Sequence, residues 1–153
     1  RLTRKNHVLK TGYGAIQEEL GKNVSSPKNI AEAVIAIRQR KLPDPKKIGN
    51  SGSFFKNPVV TETHFQNLLV EYPEMPHYRI SDSEVKIPAG WIIDHLGYKG
   101  IKRGAAGVHE HQALVLVNHG NASGIEILTL AKEIQEKVHA NFNISLEIEV
   151  NIY

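Results

Sequence analysis

Ser53, Lys56 and Asn57 fall within one short segment, Gly49–Pro58, reading GNSGSFFKNP. Glycines on both sides of Asn50-Ser51 suit unusual backbone angles or close approach of another group to the main chain. From Ser53 to Asn57 the residues read as a short extended run. Alternation would put Ser53, Phe55 and Asn57 on one face, with Phe54 and Lys56 on the other. A serine so placed is either a small strand residue or a group that does chemistry. The nucleophile reading lacks its partners, because the flanks do not form a GxSxG elbow and no local histidine and acid complete a triad. A second chemical feature lies near the other end of the chain. Glu147, Glu149 and Asn151 alternate with Leu146, Ile148, Val150 and Ile152, so two carboxylates share one face of a predicted strand. That pair reads either as a solvated face or as two carboxyls of which one is pushed toward neutrality by the other and by burial. Periodicity does not choose between Glu147 and Glu149.

Other clusters are weaker. His109-Glu110-His111 with His119 brings metal ligands to mind, but eight histidines in 153 residues make such groupings common. There is no HExxH spacing, so structural or surface roles are expected and no metal is assigned. Gly104–Gly107 lacks the lysine and serine of a phosphate-cradling loop, which leaves tight packing as its reason. Lys41, Lys56 and Lys86 could bind an anion together, although each alone reads as a solvated lysine.

The elements that must position these groups follow from composition and pattern. With 41% hydrophobic and 23% charged residues the chain is globular and large enough to bury a core. A net charge of +3, with acids interleaved among the lysines and arginines, suits an anionic small molecule, and nucleic acid is not an expected partner. The absence of cysteine excludes disulfides and thiolate metal sites and is compatible with the cytoplasm. No apolar run approaches the roughly 18 residues of a membrane-spanning helix, so no membrane partner is expected.

A turn at Thr11–Gly14 leads into a short helix through Ile16 and Leu20. Ser26 is a predicted N-cap with Pro27 at the first helical position, and Arg38, Arg40 and Lys41 suit the helix C-terminus. Leu42-Pro43-Asp44-Pro45 stops that helix and marks a domain boundary. Thr61 caps a helix through Phe65, Leu68 and Leu69, and Pro73–Ser83, carrying Met75, His77 and Tyr78, reads as a binding loop. A strand over Val85–Ile87, a helix over Ala89–Leu96, a glycine-punctuated loop at 100–107 and a buried strand over Leu114–Val117 follow. Asn121 or Ser123 caps the longest helix, and the strand Leu146–Ile152 closes the chain. Helices interspersed among a few short strands predict an α+β fold with a small mixed or antiparallel sheet.

Several of these stretches are also specific as motifs. Lys41–Val60, KLPDPKKIGNSGSFFKNPVV, with Ala89–Asp94, Gly107-Val108-His109, Gln112–Asn118 and the terminal Leu146-Glu147-Ile148-Glu149-Val150, closely resembles the C-terminal part of the UDP-N-acetylenolpyruvoylglucosamine reductase family. The resemblance runs nearly end to end and keeps the family's order. It implies a flavoenzyme of peptidoglycan precursor synthesis that passes a hydride from NADPH to FAD and then to UDP-N-acetylglucosamine enolpyruvate, forming UDP-N-acetylmuramate. Ser53 matches the family's proton donor to the α carbon of the enolpyruvyl group. Glu149 matches the glutamate that stabilises the enolic intermediate together with an arginine. Lys41, Asn57, Tyr78, Lys86 and Gln112 match positions that contact the substrate. Two cations and a tyrosine suit a uridine diphosphate.

The departures from the family pattern are Ser51, where alanine is common, and Ile148, where proline is common. The chain opens at Arg1, so the expectation is a fragment. It comprises a remnant of the flavin-binding domain over 1–42, the substrate-binding domain over 43–142, and a closing strand over 143–153 that carries Glu149. The flavin-binding domain of the full-length chain is the expected partner of this portion, which alone is expected to be inactive. The alternative from another class is a non-catalytic UDP-sugar-binding or regulatory module.

Overall fold

The computed structural model describes residues 8–12, 15–22 and 24–153. By its contacts the chain divides into two compact units, Arg1–Leu42 and Pro43–Tyr153. Most of the predicted segment Arg1–Lys10, and Tyr13-Gly14 of the predicted turn, lie outside the described residues.

The first unit is built on α1 (Ile16–Leu20) and α2 (Pro27–Lys41). α2 starts where its residues require. Ser26 Oγ accepts the Asn29 N–H at 3.1 Å, and Pro27 occupies a position whose N–H has no helical partner. Ile16, Leu20 and Ala33 are buried, with Ile30, Val34 and Ile37 packed against them. Arg40 pairs with Glu19, and its hydrogen bonds hold that carboxyl below its usual range.

The second unit holds two antiparallel sheets. Its strands are β1 (Gly49–Ser53), β2 (Val59–Thr61), β3 (Tyr78–Arg79), β4 (Glu84–Lys86), β5 (Lys102–Arg103), β6 (Ala106–Val108) and β7 (Val115–Asn118). The larger sheet has the order β1-β7-β6-β5 and the smaller β2-β4-β3. Three helices accompany them: α3 (Glu62–Glu71), α4 (Ala89–His95) and α5 (Gly124–Phe142). The fold is α+β, and every strand pairing among the described residues is antiparallel.

Thr61 caps α3 by accepting the His64 N–H at 3.2 Å. Of the two caps the sequence offers for α5, Ser123 forms a full capping box with Glu126. The stripe Leu130, Ala131, Ile134 and Val138 carries α5 into one core with Phe55, Phe65, Ile87, Ile92 and Phe142. On the far side of α5, Glu133 accepts from Tyr98 Oη at 3.1 Å and from Arg103 at 2.9 Å. Burial, followed by that bond to Glu133, pushes the Tyr98 phenol up to about 12.

Three sequence expectations are corrected. Alternation through Ser53–Asn57 fails, because Phe54 and Phe55 are both buried while Ser53 and Asn57 are exposed. The chain changes partner here, from the Leu114 carbonyl that takes the Phe54 N–H to the closing segment bridged at Phe55. Just before, a bulge absorbs one extra residue, since Asn50 faces Val117 but Ser53 faces Val115, with Gly52 at φ 75°. The glycine-punctuated loop contains the β5–β6 hairpin, and β6 is an interior strand. Its Gly107 is a packing glycine as expected, since a Cβ there would lie 2.8 Å from His119 Nε2 and 2.9 Å from the Ile101 carbonyl. The closing strand shrinks to a single antiparallel bridge between Phe55 and Ile148. In the proposed binding loop Pro73–Ser83, Met75 is buried in the core and Tyr78-Arg79 pair with β4.

Candidate functional site

Past the bulge at Gly52 the pairing of β1 with β7 resumes at Ser53, opposite Val115, and there the serine is exposed. Phe54 N–H still reaches the Leu114 carbonyl at 2.8 Å, and the chain then turns to the closing segment. There Lys56 N–H donates to the Glu147 carbonyl and Glu149 N–H to the Phe54 carbonyl, both at 2.9 Å, bracketing the Phe55–Ile148 bridge. The buried ring of Phe55 anchors this junction. Two backbone hydrogen bonds and one buried ring therefore bring the serine motif and the glutamate pair together across more than ninety residues of sequence.

Two open cavities meet at the junction. The larger, a groove of about 860 Å³, is lined by Lys56, Asn57, His64, Lys86, Glu147 and Glu149, together with main-chain and small side-chain surface from β2 and the start of the closing segment. The smaller, about 470 Å³, is lined by Ser51, Ser53, Glu149, Val150 and Asn151. Glu149 borders both. Ser53 and Asn57 thus face different spaces, and the carboxylate between them is the feature they share.

The structure separates the two glutamates that periodicity could not. Glu147 is taken up in an ion pair with Lys56. Glu149 has no ion-pair partner or side-chain hydrogen bond among the described residues, and both carboxylates are exposed rather than buried. Electrostatically the groove then has one compensated pair and one uncompensated charge of each sign, Lys86 and Glu149.

Asn57 has a local duty as well. Its Oδ1 accepts the Ala89 N–H at 2.9 Å, satisfying an N–H of the first turn of α4 that would otherwise lack a partner. Lys86 comes from β4, where it stands opposite Val59 on one side and Tyr78 on the other. Paired residues of antiparallel strands share a face, so Tyr78, 65% exposed, lies in the rung that carries Lys86, although it does not line the groove itself.

Gln112 is elsewhere. Its Oε1 accepts the Leu114 N–H at 3.4 Å and lies 3.4 Å from where a Cβ on Gly90 would stand, so it packs against the first turn of α4. Lys41 is the last residue of α2 in the first unit. The residues brought to the two cavities are therefore Ser53, Asn57, Lys86 and Glu149, while Tyr78 is adjacent to Lys86 and Gln112 lies outside.

Sequence reasoning passed over His64. Its ring Nε2 donates to the Phe142 carbonyl at 2.9 Å, which fixes the ring in the groove wall and satisfies a carbonyl at the end of α5. The two residues are 78 positions apart, and no local pattern announces the contact. Among the described residues no group of three or more histidines and acids could hold a metal ion, and no helix is long and apolar enough to cross a membrane.

What such an arrangement can do is bind an anion and polarise what it binds. A lysine and an amide flank the groove, and a serine hydroxyl and a carboxylate face a second space beside it. Residues 44–153 match the family described as UDP-N-acetylenolpyruvoylglucosamine reductase, C-terminal domain. The chain is 54% identical to the UDP-N-acetylenolpyruvoylglucosamine reductase of Flavobacterium johnsoniae, over 99% of this chain and 46% of that protein. It is 49% identical to the enzyme of the same name from Chromobacterium violaceum, over 97% of this chain and 44% of that protein. Among solved structures it resembles the UDP-N-acetylenolpyruvylglucosamine reductase of Thermus caldophilus, with a TM-score of 0.46 and 26% identity over 80% of this chain and 33% of that one. The chain spans a little under half the length of the two curated relatives.

Proposed function

The chain belongs to the family of UDP-N-acetylenolpyruvoylglucosamine reductase C-terminal domains, and on that premise we propose that it forms the substrate-binding portion of such a reductase. The whole enzyme converts UDP-N-acetylglucosamine enolpyruvate to UDP-N-acetylmuramate in peptidoglycan precursor synthesis, in the cytoplasm. Pro43–Phe142 is the substrate-binding domain, residues 143–153 close it, and Arg1–Leu42 belongs with the flavin-binding domain. Neither cavity lining contains a phenylalanine, tyrosine or tryptophan on which a flavin ring could stack. FAD and NADPH are accordingly assigned to the part of the reductase that the chain does not span, and none of these residues is given a flavin contact.

The single observation that carries the reading is the position of Glu149, which borders the serine-lined cavity on one side and the Asn57–Lys86 groove on the other. In this reading Ser53 donates its hydroxyl proton to the α carbon of the enolpyruvyl group, whose neighbouring carbon receives the hydride. A hydroxyl is a weak acid, but an enolate-like carbon is basic enough to take its proton. Glu149 stabilises the enolic intermediate from a preorganised position. Lys86, Asn57 and Tyr78 hold the diphosphate and nucleotide.

Calorimetric titration of the chain with UDP-N-acetylglucosamine enolpyruvate tests this. Binding is expected, weakened about tenfold or more by Lys86→Ala, the loss of one charge-assisted contact, and unchanged by Lys28→Ala in the first unit. Equal binding by the Lys86 variant, or no heat at high ligand concentration, would overturn the assignment of the groove.

A further inference from the structure

The closing segment carries an ambiguity that its own side chains do not resolve. From Ile144 to Ile152 apolar and polar residues alternate without interruption: Ile144, Leu146, Ile148, Val150 and Ile152 against Ser145, Glu147, Glu149 and Asn151. A one-residue slip would turn every apolar side chain outward, but a two-residue slip preserves the alternation. In the observed register Lys56 faces Glu147, Phe55 faces Ile148 and Phe54 faces Glu149. Slipped one way by two, Lys56 would face Glu149, the ion pair would re-form, and Asn151 would stand beside Ser53. Slipped the other way, Glu147 would take the place of Glu149 and Lys56 would face Ser145. Gln135 Nε2, which donates to the Leu146 carbonyl at 2.6 Å, is equally indifferent, since the carbonyls of alternate residues point the same way.

What is not indifferent is the distance along the chain from α5. The Phe142 side chain is 1% exposed, its carbonyl is held by His64 Nε2, and Asn143 turns the chain with φ 51°. Three residues, Asn143–Ser145, then lead to the buried Leu146. Bringing Glu147 beside Ser53 would mean unwinding two residues from the end of α5, against the His64 bond and the burial of Phe142. Bringing Asn151 there would extrude Ile144, which is 3% exposed.

We propose that the end of α5, pinned by His64, sets the register of the closing segment and so decides which side chain stands beside Ser53, making His64 a positioning residue for Glu149. The functional weight of the inference rests on the role given to Glu149 above, but its test does not. Two-residue ambiguity is a property of the strand, and its removal is a property of the helix to which the strand is tied.

The chain has no cysteine, so an introduced pair reports its own cross-link without interference. Carried on from the Phe55–Ile148 bridge, the observed register would set Ser53 opposite Val150, and after the slip that unwinds α5 opposite Ile148. In the 153-residue chain, Ser53→Cys with Val150→Cys is expected to form a disulfide and Ser53→Cys with Ile148→Cys is not, read by intact mass. Adding His64→Leu removes one hydrogen bond, and the cross-link to residue 148 should rise about fivefold to tenfold. A duplication of Ile144-Ser145 tests the same idea without touching His64, and it leaves the Lys56–Glu147 pair free to compete. If the helix end sets the register, residue 148 becomes the predominant partner of residue 53. If residue 150 remains predominant in the duplication, or if His64→Leu leaves the ratio unchanged in a folded chain, the proposal is wrong. Neither outcome bears on whether the groove binds a UDP-sugar, which the titration decides separately.

Discussion

The two segments that meet at the candidate site are held in different ways. Gly49–Pro58 is placed by features that occur once: a bulge with Gly52 at φ 75°, two adjacent buried phenylalanines, and an asparagine bonded to the first turn of α4. The closing segment is placed by a repeating pattern, a single bridge and an exposed ion pair. Shifting the first segment in register would expose Phe54 or Phe55, whereas shifting the second by two residues preserves its own alternation and is opposed only where it joins α5. The difference teaches that one half of a site can be specified by its own residues while the other half borrows its specification from a neighbouring element.

Removing the anchor common to both segments should have the largest effect. Phe55→Ala empties a site that is 1% exposed, and a loss of about 3 to 5 kcal/mol is expected in urea unfolding. A loss under about 1 kcal/mol would mean that the junction is not held by this ring. Next comes the bulge. A Cβ at Gly52 meets nothing within 4 Å, so Gly52→Ala isolates the backbone cost of φ 75°, about 1 to 2 kcal/mol, part of which Gly52→Asn should restore. Equal stability of the alanine variant would remove the bulge from the list of features that fix Ser53.

A third prediction concerns the helix that the closing segment depends on. The Tyr98 phenol has its ordinary value of 10.0 raised to about 12 in the folded chain, through burial and its bond to Glu133. The folded state therefore holds that proton more tightly than the unfolded state does. The resulting stabilisation is complete below pH 10 and is lost as pH rises toward 12. Thermal melts across that window should fall more steeply for the parent than for Tyr98→Phe, and parallel curves would contradict the assignment.

The smallest effect belongs to the ion pair. Lys56 and Glu147 are 51% and 68% exposed, so Glu147→Gln should cost less than about 1 kcal/mol, and less again at high salt. A larger, salt-insensitive loss would show that the pair, rather than the helix end, holds the closing segment.

Much of the fold was legible because it is written locally. Ser26, Thr61 and Ser123 each announce a helix within three residues of its start, and each accepts the predicted backbone N–H. The hairpin β5–β6 was missed because its strands are two and three residues long, too short for alternation to register among glycines. At the site, the meeting of Ser53 with Glu149 was legible only through family resemblance. Phe54 and Phe55 conceal it from a pattern reading, since two successive buried residues break the period of two.

By itself the sequence determined the long helices, the caps of α2 and α3, the α+β character, and the chemical types available at the site, because each depends on side chains acting on their own backbone. Only the tertiary structure decided that Glu147 is occupied by Lys56 while Glu149 stands open between two cavities, that Tyr78 shares a rung with Lys86, and that Gln112 turns to α4. The physical reason is one of symmetry. An alternating strand is unchanged by a shift of two residues, so no reading of its own pattern can number its glutamates, and the count must come from the helix end that His64 holds.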